Sequence, residues 1–208
     1  VADTLDIVSL TEAKAAVNID ASNTSYDTEI AAYITGVSRR IDTLCGPVVR
    51  RTISAETHWC GAAPFVDVRH VPISSVSSVV EYDQEGTATT LTAETVSTKP
   101  TDGYLIDVTR EVPTRIYRRS QGGPYTFPAA GAVVITYGAG RYANTAAVDE
   151  VFKRGAAIMF SHLWRREQGV GSTTFGPLED TGLGTPTFAV PRAVVELLAE
   201  HLRPAGVA

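Results

Sequence analysis

The side chains that could carry chemistry are two cysteines, four histidines, paired glycines and turn carboxylates, and their spacing restricts what that chemistry could be. His58-Trp59-Cys60 sets an imidazole two residues from a thiol, the beginning of a soft-metal site. Tetrahedral zinc needs four such ligands, and no further Cys/His pair accompanies these two. Cys45 stands alone, and both thiols read as packed, reduced and apolar in behaviour. Gly138-Ala139-Gly140 and Gly169-Val170-Gly171 could turn backbone N–H groups toward a phosphate. Neither runs into G-K-[ST] and neither sits in a βαβ unit, so turn glycines are expected. Asp83 with Glu85, and Asp102-Gly103, could touch a cation, but the run of oxygen ligands that calcium requires is missing. His162 and His201 fall in helical patterns with no G-x-S-x-G, H-E-x-x-H or H-x-E…C-x-x-C around them. A hydrolase would need a pocket that brings one of them against an acid and a nucleophile. The expectation is no catalytic residue, no metal and no cofactor, hence a protein that is not an enzyme.

The arginines suggest a different use. Arg outnumbers Lys fifteen to three, and a planar guanidinium suits interfaces better than an ammonium does. Arg118-Arg119 and Arg165-Arg166 are too small to be nucleic-acid patches. Beside Tyr117, Tyr125, Phe127 and Trp164 they fit the composition of protein–protein hot spots. Candidate interface residues are therefore Arg118, Arg119, Tyr125, Phe127, Trp164, Arg165 and Arg166, with Arg39 and Arg40 on the outer face of their helix. Phe175, Leu183 and Phe188 on a Gly-rich arm, and Arg203 in the closing segment, complete the set. Formal charge is −5, with seven acids against three bases before Gly46 and near balance afterwards. No region is basic enough to neutralise a row of phosphates, so tight nucleic-acid binding is not expected.

The elements that must position these residues follow from periodicity. Ser9-Leu10-Thr11-Glu12 reads as a capping box opening a short helix that runs through Val17. A polar loop from Asp20 to Ser25 follows. Ile30, Ile34, Val37, Ile41 and Leu44 then form one apolar stripe of a helix from Asp27 that Gly46-Pro47 ends. Between Pro47 and Thr145 short alternating runs predict about seven strands: 51–59, 65–69, 76–82, 87–92, 104–108, 114–117 and 132–137, with a turn at Gln84-Glu85-Gly86. A small antiparallel sandwich or barrel-like sheet fits that spacing. Helical spacing returns at Val148, Val151, Phe152, Ala156, Met159 and Leu163. A last helix opens at Pro191, with Val194, Val195, Leu197, Leu198 and Leu202 directed inward. The fold class is α+β: a frame of about four helices, two N-terminal and two C-terminal, carrying an inserted antiparallel β-rich sub-domain. The divisions are 1–46, 47–145 and 146–208, with the arm at 169–190. No stretch approaches the length needed to span a bilayer. Val1-Ala2-Asp3-Thr4 does not read as a signal peptide, and synthesis in a cytoplasm is expected.

In order along the chain these pieces resemble phage head–tail connector proteins, the adaptor or head-completion subunits between portal and tail. Leu10-Thr11-Glu12-Ala13-Lys14 with the acidic/Ser/Asn loop and the helix from Asp27 to Gly46 are similar to the family's start. Val71-Pro72-Ile73-Ser74-Ser75-Val76-Ser77-Ser78-Val79, Val134-Ile135-Thr136-Tyr137-Gly138-Ala139-Gly140-Arg141-Tyr142, Ala156 to Glu167, Val190 to Val194 and Leu197-Leu198 through Arg203-Pro204 continue the resemblance. It implies a virion protein at the head–tail junction, assembled in the host cytoplasm into a ring, commonly of twelve subunits. The implied partners are other copies of itself, the portal, and a tail or stopper/terminator protein, with DNA passing through the channel without tight binding and no membrane. An acidic balance suits such a conduit, since a basic lumen would hold the duplex back. The alternative from another class is a virion or cell-surface module whose β insert recognises glycan or protein.

Overall fold

The computed structural model describes residues 3–107, 112–167 and 190–202. The chain divides into two compact units, Val1–Val49 with Tyr142–Val207, and Arg50–Arg141. The first is helical and the second is built on a sheet, so the fold is α+β with a β-rich insertion in a helical frame.

Four α-helices make the frame among the described residues: α1 (Leu10–Ala16), α2 (Asp27–Cys45), α3 (Glu150–Glu167) and α4 (Arg192–Leu197). The capping box of α1 forms as its sequence predicts. Ser9 Oγ accepts the Glu12 N–H at 3.2 Å, and Glu12 accepts the Ser9 N–H at 2.6 Å. Helix α2 buries Ile30, Ile34, Val37, Ile41 and Cys45 and stops at Gly46, whose φ of 84° only glycine adopts without strain. These pack with Phe152, Ala156, Met159 and Phe160 of α3, Val194 of α4 and Leu198, which caps α4, into one core. Val48 and Val49 belong to that core as well, so the frame holds the chain to Val49.

Two details depart from the periodicity reading. Helix α3 begins at Glu150, because Val148 is extended and the Asp149 carboxylate accepts the Val151 N–H at 2.8 Å, capping the new turn. In α4 only Val194 is buried, with Leu198 at its C-cap, whereas Val195 and Leu197 face outward. A six-residue helix offers its core one residue per turn, and its apolar content exceeds what that face can cover.

One device had no periodic signature. Lys14, buried on α1, donates from Nζ to the carbonyls of Ala21 (3.1 Å) and Asn23 (2.8 Å) and pairs with Asp27 at 2.5 Å. A buried ammonium is tolerable only when fully partnered, and here its partners fix the polar loop between α1 and α2.

The second unit has eight strands: β1 (Arg51–Trp59), β2 (Phe65–Asp67), β3 (Ile73–Tyr82), β4 (Ala88–Ala93), β5 (Gly103–Ile106), β6 (Arg115–Ser120), β7 (Gly123–Pro124) and β8 (Ala132–Ala139). Their order is β1-β8-β3-β4-β5-β6-β2, with β7 on β6, and every pair is antiparallel except β4–β5. The seven predicted strands are present; β7 is the addition, a two-residue pairing inside a Gly/Pro loop that no side-chain pattern marks. Glycine serves strand pairing at Gly138, which corrects its reading as a turn residue. Gly138 lies within β8, and an added Cβ would sit 2.7 Å from the Ser75 hydroxyl and 2.8 Å from that of Ser74.

The two edge strands, β1 and β2, are joined by the short connection 60–64, so the sheet curls around a single core. Val66, Val79, Leu91, Tyr104, Ile116, Ile135 and Tyr137 fill it. Where the edges approach, side chains replace a ladder. Glu56 on β1 accepts the Arg69 N–H at 2.9 Å, and the Tyr137 hydroxyl on β8 accepts the His70 N–H at 3.1 Å. A bulge in β1 between Ile53 and Glu56 supports this seam. Ala55 takes a φ of 53° there, and its N–H donates to Thr136 Oγ1 at 3.2 Å.

Trp164 belongs to the frame's core, 8 % exposed, with its ring edge-on to Tyr26 and Tyr33 and beside Phe160. Replacing Trp164 by Ala is expected to cost about 3–5 kcal/mol of stability, measured by urea denaturation.

Candidate functional site

The positions expected to form an interface separate into three groups. Arg39 and Arg40 on α2 and Arg165 and Arg166 at the end of α3 are exposed, as contact surface must be. Arg165 also edges a shallow cavity of about 420 Å³ between α1 and α3, with Arg154 and His162 on its rim and Ala16, Ala157 and Ser161 among its lining. Its floor is tied by the Ser161 hydroxyl, which donates to the Ala16 carbonyl at 3.2 Å. Phe175, Leu183, Phe188 and Arg203 fall outside the described residues.

The third group turns inward. Trp164 is core, Phe127 is 1 % exposed in the sheet's core, and Arg118 is 3 % exposed. As folded, none of these three offers contact surface, which corrects their reading as anchors. The reason is strand alternation: Arg118 shares its face of β6 with buried Ile116, and so points inside. There it meets Glu81, also inward, on β3. Arg118 Nε and Nη2 donate to the two Glu81 oxygens at 2.9 and 2.8 Å, and Nη2 reaches Asp102 at 2.8 Å. Nη1 donates to the Arg119 carbonyl at 2.6 Å, with the carbonyls of Gly103 and Thr101 beyond. Every donor is used, as a buried guanidinium requires.

Tyr125, 54 % exposed, covers this pair, its ring centroid 5.1 Å from the guanidinium carbon. A cavity of about 440 Å³ lies here, lined by Glu81, Asp102, Arg118, Ser120 and Tyr125 among others. Arg119 is half-buried and bound, donating to Glu94 at 3.1 Å and to the Gly122 carbonyl. Lys99 on the other Glu94 oxygen and Arg119 together hold that carboxyl below its ordinary value.

Two of the four histidines converge on one carboxylate. His58 Nε2 lies 2.6 Å from Glu56 Oε1 and His70 Nδ1 lies 3.2 Å from Oε2. The Tyr137 hydroxyl donates to the same Oε2 at 2.8 Å. Burial alone would raise the Glu56 carboxyl, but donation by Arg69, Tyr137, His70 and His58 outweighs it and leaves the group lowered. Tyr137 is pushed well up, by burial first and then by the carboxylate beside it. Among the described residues no group of three His, Cys, Asp or Glu is placed to hold a metal ion. His162 is exposed, and His201 stacks on Phe152 at 4.9 Å between ring centroids. Cys45 and Cys60 are buried free thiols. No helix of the described residues is long and apolar enough to cross a membrane.

Trp59 is the surface residue that the spacing arguments passed over. It is 84 % exposed at the end of β1, although its neighbours His58 and Cys60 face the other way. Strict alternation in Glu56-Thr57-His58-Trp59 carried the signal: once Glu56 and His58 point in, Trp59 points out.

No family model matches the sequence, and no curated protein matches it either. Solved structures do. A chain in the neck of an empty gene transfer agent particle, computed with C6 symmetry, matches with a TM-score of 0.57 and 16% identity, over 96% of this chain and 92% of that one. A chain in the virion of a native gene transfer agent particle matches with a TM-score of 0.56 and 15% identity over the same shares. The fold described above is therefore shared with those chains over most of their length.

Two substitutions probe the buried charges. Arg118→Ala strands Glu81 in the core and is expected to cost about 3–5 kcal/mol in chemical denaturation. Glu56 has a lower carboxyl value folded than unfolded, so its stabilisation is complete above the unfolded value of about 4.3 and is lost as pH falls through the folded one. Glu56→Gln should therefore flatten the acid limb of a stability–pH curve relative to the unsubstituted chain.

Proposed function

We propose that this chain is a structural subunit of a phage-type neck, a ring component that joins the portal of a DNA-filled head to the tail and surrounds the DNA channel. The observation that carries the reading is the shared fold over nearly the full length of both chains, helical frame and β insert together. Folds host many functions, so the chemistry of this chain has to agree with the role. It does so in three respects. The buried ion pairs and the histidine–carboxylate cluster are saturated by internal partners, as structural groups are. The exposed cations of α2 and α3 are too few to grip a duplex. The net charge of −5 disfavours retention of passing DNA.

In this role the protein acts by assembly and not by catalysis. Its partners are its own copies, the portal and a tail-side stopper or terminator. It resides in the virion at the head–tail junction after assembly in the host cytoplasm. Twelve copies is the number that the family resemblance implies, and it is compatible with sixfold symmetry of the kind computed for the neck of the matched particle. Arg39, Arg40, Arg165 and Arg166 are the cations available to lateral contacts.

The cavity beside Tyr125 favours a second reading, a recognition module that binds glycan or protein through the insert. Light scattering on the purified chain, alone and mixed with its cognate portal, separates the two. The neck reading expects a closed ring in at least one sample. A chain that stays monomeric and ignores the portal would defeat it and favour the recognition module.

A further inference from the structure

The outer face of the insert differs sharply between its two halves. Across β6 and β2 it carries ion pairs: Arg115 Nε lies 2.8 Å from Asp67, and Arg119 reaches Glu94. Across β1, β8, β3 and β4 the rows that share this face hold no charged side chain. The strand register defines the rows that share this face. One row runs Trp59–Ala132–Tyr82–Ala88, the next runs from Thr57 through Val134 and Val80 to Thr90, and a third pairs Thr136 with Ser78. All are aromatic, aliphatic or hydroxyl residues, and the opposite face of the same strands holds the core. A solvent-facing patch of ten residues ordinarily includes about three charges. A sheet face that is solvated for good has no reason to omit them, and Trp59 at 84 % exposure is the residue type most enriched at binding hot spots.

We propose that this uncharged four-stranded face is a subunit–subunit surface, covered by the next copy of the chain in the ring, with Trp59 as its anchor. The inference rests on the neck reading above. Chemistry disfavours two other occupants. Nucleic acid would need a row of cations to replace its counterions, and the face offers only the Arg69 guanidinium at its β1 edge, which donates to the Thr57 carbonyl at 3.4 Å. A strongly charged protein surface would lose its hydration here without gaining a partner. Area selects a ring neighbour over a simple dimer. From strand spacing and rise the face measures about 20 Å on a side, roughly 400 Å², half of the 800 Å² or so that each partner gives to a stable interface. A patch of that size does not sustain a pair in dilute solution. In a closed ring each copy is held on two sides, and the last contact closes intramolecularly.

The test uses the full chain, which contains two tryptophans, one of them buried. Acrylamide quenching is followed while assembly is driven by concentration or by the portal, with Trp59→Phe assigning the exposed signal. The expected result is at least a threefold fall in the Trp59 quenching constant on ring formation. Thr57→Lys together with Thr90→Lys, both at exposed positions, should cut the assembled fraction at least tenfold with the melting temperature unchanged. Rings in which Trp59 stays as quenchable as in the monomer would remove this face from the contact and leave the ring reading standing. Assembly of the double-lysine chain at wild-type level would do the same. A species that stops at two copies would replace the ring neighbour by a twofold contact, and a chain that never assembles would overturn both readings.

Discussion

The insert depends on one guanidinium. Arg118 on β6 and Glu81 on β3 have two strands, β4 and β5, between them in the sheet order, so their side chains meet only because the sheet curls. A buried charge without its counter-charge costs several kcal/mol, and a flattened sheet would leave both charges in that condition. The pair therefore works as a specification of shape more than as a source of stability. The seam at the other side of the sheet has a related design. Glu56 and Tyr137 supply acceptors for the backbone N–H groups of Arg69 and His70, which lie just past the end of a short strand and find no ladder partner there.

Much of this architecture was legible in the sequence because it is periodic. The stripe of α2, the capping box at Ser9 and the alternation of β8 each follow from one geometric rule, and each forms as read. What stayed hidden is what depends on long-range pairing. Arg118 and Arg119 look equivalent in sequence, yet one is core and the other half-exposed, because a strand sends neighbours to opposite faces and only the register decides which. Phe127 and Trp164 have the composition of interface anchors but serve as packing, since aromatic residues supply both. Lys14 has no periodic signature of its own, because its role depends on the carbonyls of Ala21 and Asn23 being folded over it. Trp59 was obscured for another reason: its neighbours His58 and Cys60 are ligand types, whereas its own outward direction follows only once the inward face of β1 is known.

Surface chemistry connects these points to the proposed role. A neck component must recognise like copies and unlike partners while DNA moves past it. The insert keeps its ion pairs inside or along one half of its sheet and leaves the other sheet face without charge, while exposed arginines stand on two helices of the frame. Such a division separates contacts by chemical type, so that an uncharged patch and a cationic one are not confused for each other during assembly.

The pairing of β1 with β8 has a consequence for how the chain came to be built. Arg51 opposes Ala139, and just outside them Val49 bridges Tyr142, so the chain leaves the frame and re-enters it at neighbouring points. Closing a flexible loop of about 90 residues would cost the frame on the order of 4 kcal/mol, from (3/2)RT ln n. A folded insert with adjacent ends reduces that cost to nearly that of a tight turn. The helices can then tolerate inserts of different size or shape at this position without altering their own packing, which makes the junction at Val49 and Tyr142 a natural point for grafting one recognition surface in place of another.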